Sequence, residues 1–360
     1  MDSRQTRFAT WRIPTWRIPT GRIVTRATLG LAATAAFVIS TGALAPAALA
    51  ESYTMKIGMV TINDPQHTFV KKYKEELEKR TKGRIKVKVF PAAQLGKIPR
   101  QLEGLQLGTQ EGFQAPPGFL SGMNQGFQAP DAPALFKSFA HAQRTLTNPQ
   151  FRSRYLKLAE KNGIIGVSLW VYGPTSIASH KPIRTIADMK GLKIRVLATK
   201  MESRIAGAMG MTGVPMPFSE VLPALQRKTI DGCRTSIVVM GALKFFTSTK
   251  YITQIESGMI PSALWVSKKW LDKLPKDLQQ AVVQTGRDLE EWAGKNSEAF
   301  EKRAVKLWTD NGAEVIHLSA KDRAAVFAKL RPLGDEVLGK NPKTKEMYSL
   351  LKAVAAKTPE

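Results

Sequence analysis

The chain has 360 residues, with 54 Lys and Arg against 29 Asp and Glu, four His and one Cys. At 43% hydrophobic and 23% charged it has the balance of a globular protein, which excludes wholesale disorder and collagen-like order. Its length allows one large domain or two smaller ones around a substantial core. A single thiol, Cys233, closes no internal disulfide, and one Cys with four scattered His builds no zinc ribbon or finger.

Part of the formal charge of +25 sits at the start. Arg4, Arg7, Arg12, Arg17, Arg22 and Arg26 precede an apolar, alanine-rich stretch from Ala27 to about Ala45, and Ala48-Leu49-Ala50 follows. Basic region, hydrophobic region and small-x-small end are the layout of a secretory signal peptide, so residues 1–50 are expected to be cleaved after Ala50. A membrane anchor is the competing reading, but the stretch is weakly hydrophobic and a polar chain begins at once. An adjacent Arg-Arg pair and a cysteine near residue 50 are both missing, which disfavours twin-arginine export and lipid attachment. Losing six arginines and Asp2 leaves a net charge of +20 on an exported, soluble chain.

Met55–Val60 reads as a strand, and Phe69, Tyr73 and Leu77 at a spacing of four mark the helix after it. Arg84–Phe90 alternates strictly, so strand, helix and strand form a βαβ unit and the class is α/β. Pro99–Gly108 carries a short helix stripe, and residues 109–133, rich in Gly, Pro, Gln and Phe, form a loop-heavy segment suited to lining a cleft. One helix is expected over about Ala140–Asn162, then a buried central strand over Ile164–Trp170. Leu192–Val196 is a strand, and Ser219 is placed to cap a helix that Ile230-Asp231-Gly232 closes. Ala263–Val266 is a further strand. Lys276–Asp310 runs without Pro, which predicts one helix of about 50 Å at 1.5 Å per residue. Asn311-Gly312 stops it, and a strand over Ala313–Leu318 and two final helices complete the chain.

Catalytic signatures are missing: no Gly-x-Ser-x-Gly elbow, phosphate loop, dinucleotide fingerprint or His-Glu-x-x-His is present. Cys233 beside Arg234 is the one candidate nucleophile, and a small packing residue is the simpler reading. The basic residues are spread over the chain rather than gathered in an aromatic-interleaved tract, so a solvated surface is favoured over nucleic-acid binding.

More specific is Pro182-Ile183 followed by Ile186-Ala187-Asp188-Met189-Lys190-Gly191-Leu192-Lys193-Ile194-Arg195-Val196. Val214-Pro215-Met216-Pro217-Phe218-Ser219-Glu220-Val221, Ala224-Leu225-Gln226 and Ile230-Asp231-Gly232 come next. With Lys82-Gly83, Phe90-Pro91, Gln94-Leu95-Gly96 and Leu107-Gly108 upstream, the chain resembles the dicarboxylate-type solute-binding proteins of tripartite ATP-independent periplasmic (TRAP) transporters. The resemblance runs from about Met55 to Gly334. It implies a two-lobed periplasmic binding protein fold, type II-like, with crossover strands and a long helix behind both lobes. It places residues 51–171 and about 260–300 in the first lobe, 172–259 and about 301–340 in the second, and a C-terminal helix at 341–360.

The function so implied is a periplasmic, monomeric receptor that closes on an organic acid and hands it to the small and large permease subunits. It is not an enzyme and carries no metal, cofactor or nucleic acid. A receptor feeding a sensor, and an enzyme on the same scaffold, are the alternatives. The family pairs the arginine of the Lys-Ile-Arg-Val strand with the ligand carboxylate, here Arg195; a guanidinium meets a carboxylate through two parallel charge-assisted bonds and stays charged. Two departures are visible. The family's second arginine, in Gly-x-Arg, is replaced at Gly173-Pro174-Thr175, and its ligand-binding asparagine becomes Thr235 in Cys233-Arg234-Thr235-Ser236. Losing a cation suits a monocarboxylate with an apolar or aromatic body, unless Arg234 supplies the second charge. Gln66, His67, Phe113, Gln114, Tyr172 and Met216 complete the candidate pocket, with Phe127 and Trp170 as aromatics that serve pocket or core. Bending is expected near Trp170–Gly173 and Pro261–Ala263.

Overall fold

The structure, a computed structural model, describes residues 51–360; the expected signal peptide and its cleavage site lie outside them. The first half comprises β1 (Tyr53–Gly58), α1 (Pro65–Arg80), β2 (Ile85–Phe90), α2 (Ile98–Leu107), β3 (Gly112–Ala115), α3 (Phe139–Thr147), α4 (Pro149–Tyr155) and β4 (Ile164–Ser179). Then follow β5 (Lys193–Val196), α5 (Lys200–Ala208), β6 (Thr212–Pro215), α6 (Val221–Gln226), β7 (Gly232–Thr235), α7 (Ile237–Ala242) and β8 (Tyr251–Ser267). The chain ends with α8 (Lys268–Leu271), α9 (Lys276–Asp288), α10 (Glu290–Asp310), β9 (Glu314–His317), α11 (Ala320–Leu330) and α12 (Pro342–Lys357). Among the described residues no helix is long and apolar enough to cross a membrane.

The strands form one sheet in the order β2-β1-β3-β8-β4-β7-β5-β6, with β9 on the outer part of β8. At one end β1 pairs in parallel with β2 and β3; at the other β5 pairs in parallel with β6 and β7. The long antiparallel pair β4·β8 runs through both, from Ile164↔Ser267 to Ser179↔Tyr251. This is the expected two-lobed α/β fold with crossover strands. The crossover is irregular: register slips between Val171 and Gly173 and between Pro174 and Ser176, where residues 255–258 of β8 oppose Thr175 alone. Within that bulge Glu256 adopts φ 52°, a left-handed conformation that a non-glycine residue holds only when its surroundings impose it.

Local chemistry accounts for the element ends. Asp64 caps α1 by accepting from the His67 amide, Pro65 occupies its first turn, and Lys79 and Arg80 meet the negative end of its dipole. The single helix expected over Ala140–Asn162 is instead α3, α4 and a final 3-10 turn. Pro149 cannot donate within a helix, and Asn148 caps the new start by accepting from the Gln150 amide at 2.9 Å. Ser219 is not a cap: Phe218–Glu220 is itself a 3-10 turn running into α6. The long helix is divided at Leu289 into α9 and α10. A Cβ on Gly286 would lie 2.4 Å from the Val167 carbonyl oxygen, so its absence lets α9 lie on the backbone of β4. Beyond the break, α10 packs on β4, α1, α3, α7 and β9, bracing both ends of the sheet.

Two buried clusters flank the sheet strands. One gathers Phe127, Tyr155 and Trp265, the other Phe69, Trp170 and Trp308. Phe127 meets Trp265 edge-on at 5.3 Å, and Phe69 lies 5.4 Å from Trp170. Phe127 and Trp170 are therefore core residues.

Candidate functional site

The parallel strands of the two ends aim their C-terminal edges at each other, the position where open α/β sheets hold ligands. Val60 and Thr61 follow β1, Pro116, Gly118 and Phe119 follow β3, and Arg195 and Leu197 come from the end of β5. Arg234 and Thr235 end β7, and the crossover closes the floor with Tyr172, Thr175 and Gly258–Pro261. The enclosed space is about 820 Å³, part of it open to solvent. The rims touch. A Cβ on Gly118 would sit 2.6 Å from Leu197 Cδ2, the Met201 amide donates to Gln128 Oε1 at 3.3 Å, and Lys97 pairs with Glu220 at 2.8 Å.

Arg195 is 2% exposed. Its Nε and Nη2 donate to the Met216 carbonyl at 3.4 and 3.3 Å, both long, and its Cζ lies 5.0 Å from the centre of the Phe218 ring. No carboxylate of the described residues comes within salt-bridge distance of it. Burial lowers its pKa, with Cys233 and Glu202 opposing, but a guanidinium stays protonated at any working pH. A buried cation held by one carbonyl, a ring face and the neighbouring Cys233, with no carboxylate partner, retains most of its capacity for an anion.

Arg234, 3% exposed, is different. Nη1 binds both carboxylate oxygens of Glu202, and Nη2 donates to Thr175 Oγ1 at 3.1 Å and Ser257 Oγ at 3.3 Å. Thr175, where the resemblance called for an arginine, is short enough for the guanidinium of Arg234 to lie against it. Two cations thus line the cavity, but one already has its carboxylate.

Across from this pair stands Asp131, in the loop-rich segment expected to face a cleft. Its Oδ2 is buried without a hydrogen-bond partner. Burial first, then the neighbouring Glu202, pushes its pKa well up, against the Thr199 hydroxyl and Arg234. Neither Asp131 nor Glu202 was singled out from the sequence. Glu202 stands in the first turn of α5, where Thr199 Oγ1 caps its amide at 3.2 Å, and nothing local signals a partner 32 residues away.

Of the other candidates, Gln66 and Tyr172 line the cavity. Gln66 Nε2 donates to Ser262 Oγ at 3.0 Å, and the Tyr172 hydroxyl donates to Asp64 Oδ2 at 2.9 Å. Thr235 also lines it. His67, Phe113 and Gln114 do not. His67 Nδ1 accepts from the Asn63 amide at 3.1 Å at the start of α1, and Phe113 packs in the core. Gln114 donates to Ser262 Oγ at 2.7 Å, behind Gln66. Met216 contributes its carbonyl to Arg195 rather than a side chain to the cavity wall. Cys233 is fully buried and burial pushes its thiol up to about 11, as suits a packing residue.

The pattern of the bacterial extracellular solute-binding proteins of family 7, DctP, matches residues 58–341. The chain belongs to that family. Among relatives of this family 7 protein, the 2,3-diketo-L-gulonate-binding periplasmic protein YiaO of Escherichia coli K12 is 31% identical over 284 residues, 78% of this chain and 86% of that one. The C4-dicarboxylate-binding periplasmic protein DctP of Rhodobacter capsulatus is 30% identical over 298 residues, 82% of this chain and 89% of that one. A TRAP periplasmic solute-binding protein from Desulfovibrio salexigens, solved with bound orotic acid, superposes with a TM-score of 0.80 at 28% identity, covering 85% of this chain and 99% of that chain. The solute-binding role and the extracytoplasmic setting expected from the sequence are those of the family.

Proposed function

We propose that this family 7 protein is the periplasmic receptor of a TRAP transporter and that its ligand is a monocarboxylate with a largely apolar body. The observation that carries the reading is Arg195: buried, in the cavity between the rims, and without a carboxylate partner. Arg234 is matched by Glu202, so a ligand faces one unmatched cation. Phe119, Leu197, Val239, Met259 and Ile260 give the ligand body apolar walls. Orotic acid and 2,3-diketo-L-gulonate, the ligands named for two similar proteins, each carry one carboxylate.

In this reading the signal peptide is removed after Ala50, and residues 51–171 with about 260–300 close on residues 172–259 with about 301–340. Bending falls at the bulged crossover around Gly173 and Pro261. Ligand favours closure by its differential affinity for the closed form, and the closed receptor, a monomer, docks on the small and large permease subunits. Thr175, Thr235, Gln66 and Tyr172 serve as polar contacts beside Arg195.

A melting screen of the exported protein against aliphatic, aromatic and hydroxylated monocarboxylates and against dicarboxylates tests this. A ligand at a hundred times its dissociation constant adds about 2.7 kcal/mol, a shift of several degrees. The expected result is stabilisation by a monocarboxylate that Arg195→Ala abolishes. Undiminished stabilisation of Arg195→Ala would overturn the role of Arg195, and silence across the whole panel would overturn the reading.

A further inference from the structure

We propose that Glu202 is the specificity-determining residue of this site: by holding Arg234 internally it limits the cavity to ligands that bring a single negative charge. The inference rests on the carboxylate-receptor reading and adds to it a residue that would not contact a monocarboxylate's charged group at all.

The geometry of Arg234 leaves its buried Nε–H as the one donor without a hydrogen-bond partner. Nη1 is committed to both Glu202 oxygens and Nη2 to Thr175 and Ser257, all in a wall that is almost fully buried. Glu202 is fixed in turn, since its backbone amide is capped by Thr199 at the start of α5 and its side chain is only 9% exposed. A second carboxylate that engages Arg234 through Nη1 must therefore displace Glu202, and the fully buried Nε is the donor otherwise left to it. The displaced anion has no other basic partner among the described residues of the wall. Its neighbours are Asp131, an acid that brings no positive charge, and Arg195, which the ligand's first carboxylate already occupies. Repulsion of the wrong ligand is thereby built from the receptor's own charge. Remove the carboxylate from Glu202 and the same cavity presents two buried guanidinium groups, the arrangement suited to a dianion.

The test compares pentanoate with glutarate, acids of equal chain length and different charge, by melting shift and calorimetric titration of the exported protein. The wild type is expected to prefer pentanoate. In Glu202→Gln the ratio of glutarate to pentanoate affinity should rise at least tenfold, and in Glu202→Gln/Arg234→Gln it should return to the wild-type ratio. An unchanged ratio in a folded Glu202→Gln protein, or a wild type that prefers glutarate, overturns the proposal. Should Glu202→Gln fail to fold, Arg234→Gln decides: it frees the Glu202 carboxylate beside Arg195 and should weaken pentanoate binding at least tenfold, and an unaltered affinity overturns the proposal. Failure of the receptor reading looks different, because there neither acid registers on the wild type and Arg195→Ala changes nothing.

Discussion

The two rims of the cavity are built from equivalent parts, the C-terminal ends of parallel strands, but carry opposite chemistry. The rim after β1 and β3 presents Val60, Pro116, Gly118 and Phe119, with Asp131 as its single acid. The rim of β5, β7 and α5 carries Arg195, Arg234 and Glu202. Charge recognition is concentrated on one side, held on short strands at fixed register: Arg195 lies opposite Cys233 on β7. The other side supplies cover that removes water, and a charge pair in a drier cleft is stronger than one in solvent. In the proposed function one rim reads the ligand and the other shuts over it.

The strongest way to break this division is to keep the charge of the reading rim and change its shape. Arg195→Lys retains a cation but loses the planar fork, and a point charge on a flexible stem cannot form two parallel bonds to a carboxylate. Monocarboxylate affinity should fall about 100-fold, close to 2.7 kcal/mol, by calorimetric titration, with the melting temperature of the unliganded protein nearly unchanged. Full affinity in Arg195→Lys would show that charge alone is read.

A second test addresses the joint between the rims. Glu301 on α10 meets the crossover: its Oε2 is buried without a partner, a Cβ on Gly173 would lie 3.3 Å from that atom, and Gln254 Nε2 reaches Oε1 at 3.5 Å. Burial first, then Glu256, pushes its pKa up from 4.5 to about 8, against Gln254 and Ser236. The folded protein therefore keeps a proton that the unfolded chain releases above pH 4.5, so this group lowers stability as pH rises from 4.5 and does so fully above pH 8. Glu301→Gln should flatten that dependence, adding on the order of several kcal/mol at pH 9 and almost nothing at pH 4, by denaturant unfolding. Equal stability changes at both pH values would mean that Glu301 is not held neutral at the crossover.

Much of the scaffold was legible because its signals are local. Strict alternation marked β2, and the unbroken apolar run at Ile164–Trp170 marked a strand buried on both faces. What sequence could not show was how far β4 and β8 run, because Gly173-Pro174 reads as an ending. Proline is tolerated there because a bulge relieves the ladder. The break at Leu289 was hidden for the opposite reason: neither Pro nor Gly stands at it. At the site, Arg195 was singled out through a motif spanning neighbouring residues. The union of Thr175, Glu202 and Arg234 joins three elements far apart in sequence and obeys no spacing rule. His67 and Gln114 were chosen by position in the chain, but the cap at Asp64 and the hydroxyl of Ser262 hold them elsewhere.

The smallest expected effect lies on the covering rim. Phe119 is half-buried, follows β3 in a 3-10 turn and packs at the margin of one core cluster, so its ring adds apolar area to the cavity from the edge of the core. Truncation in Phe119→Ala removes apolar contact to the ligand body and admits water near Arg195. The first loss is worth about 1 kcal/mol, roughly fivefold in affinity, at a partly exposed site. What separates this from the charged rim is the response to salt. A contact that acts by area should leave the salt dependence of binding as in the wild type, whereas one that acts by shielding Arg195 from solvent should steepen it, because an ion pair open to water is screened and a dry one is not. Titrations of Phe119→Ala at low and high ionic strength therefore distinguish a rim that merely touches the ligand from one that strengthens the pairing at Arg195. A steeper salt dependence is the expected outcome, since the two rims meet at Gly118 and Leu197, one residue from Phe119 and two from the guanidinium.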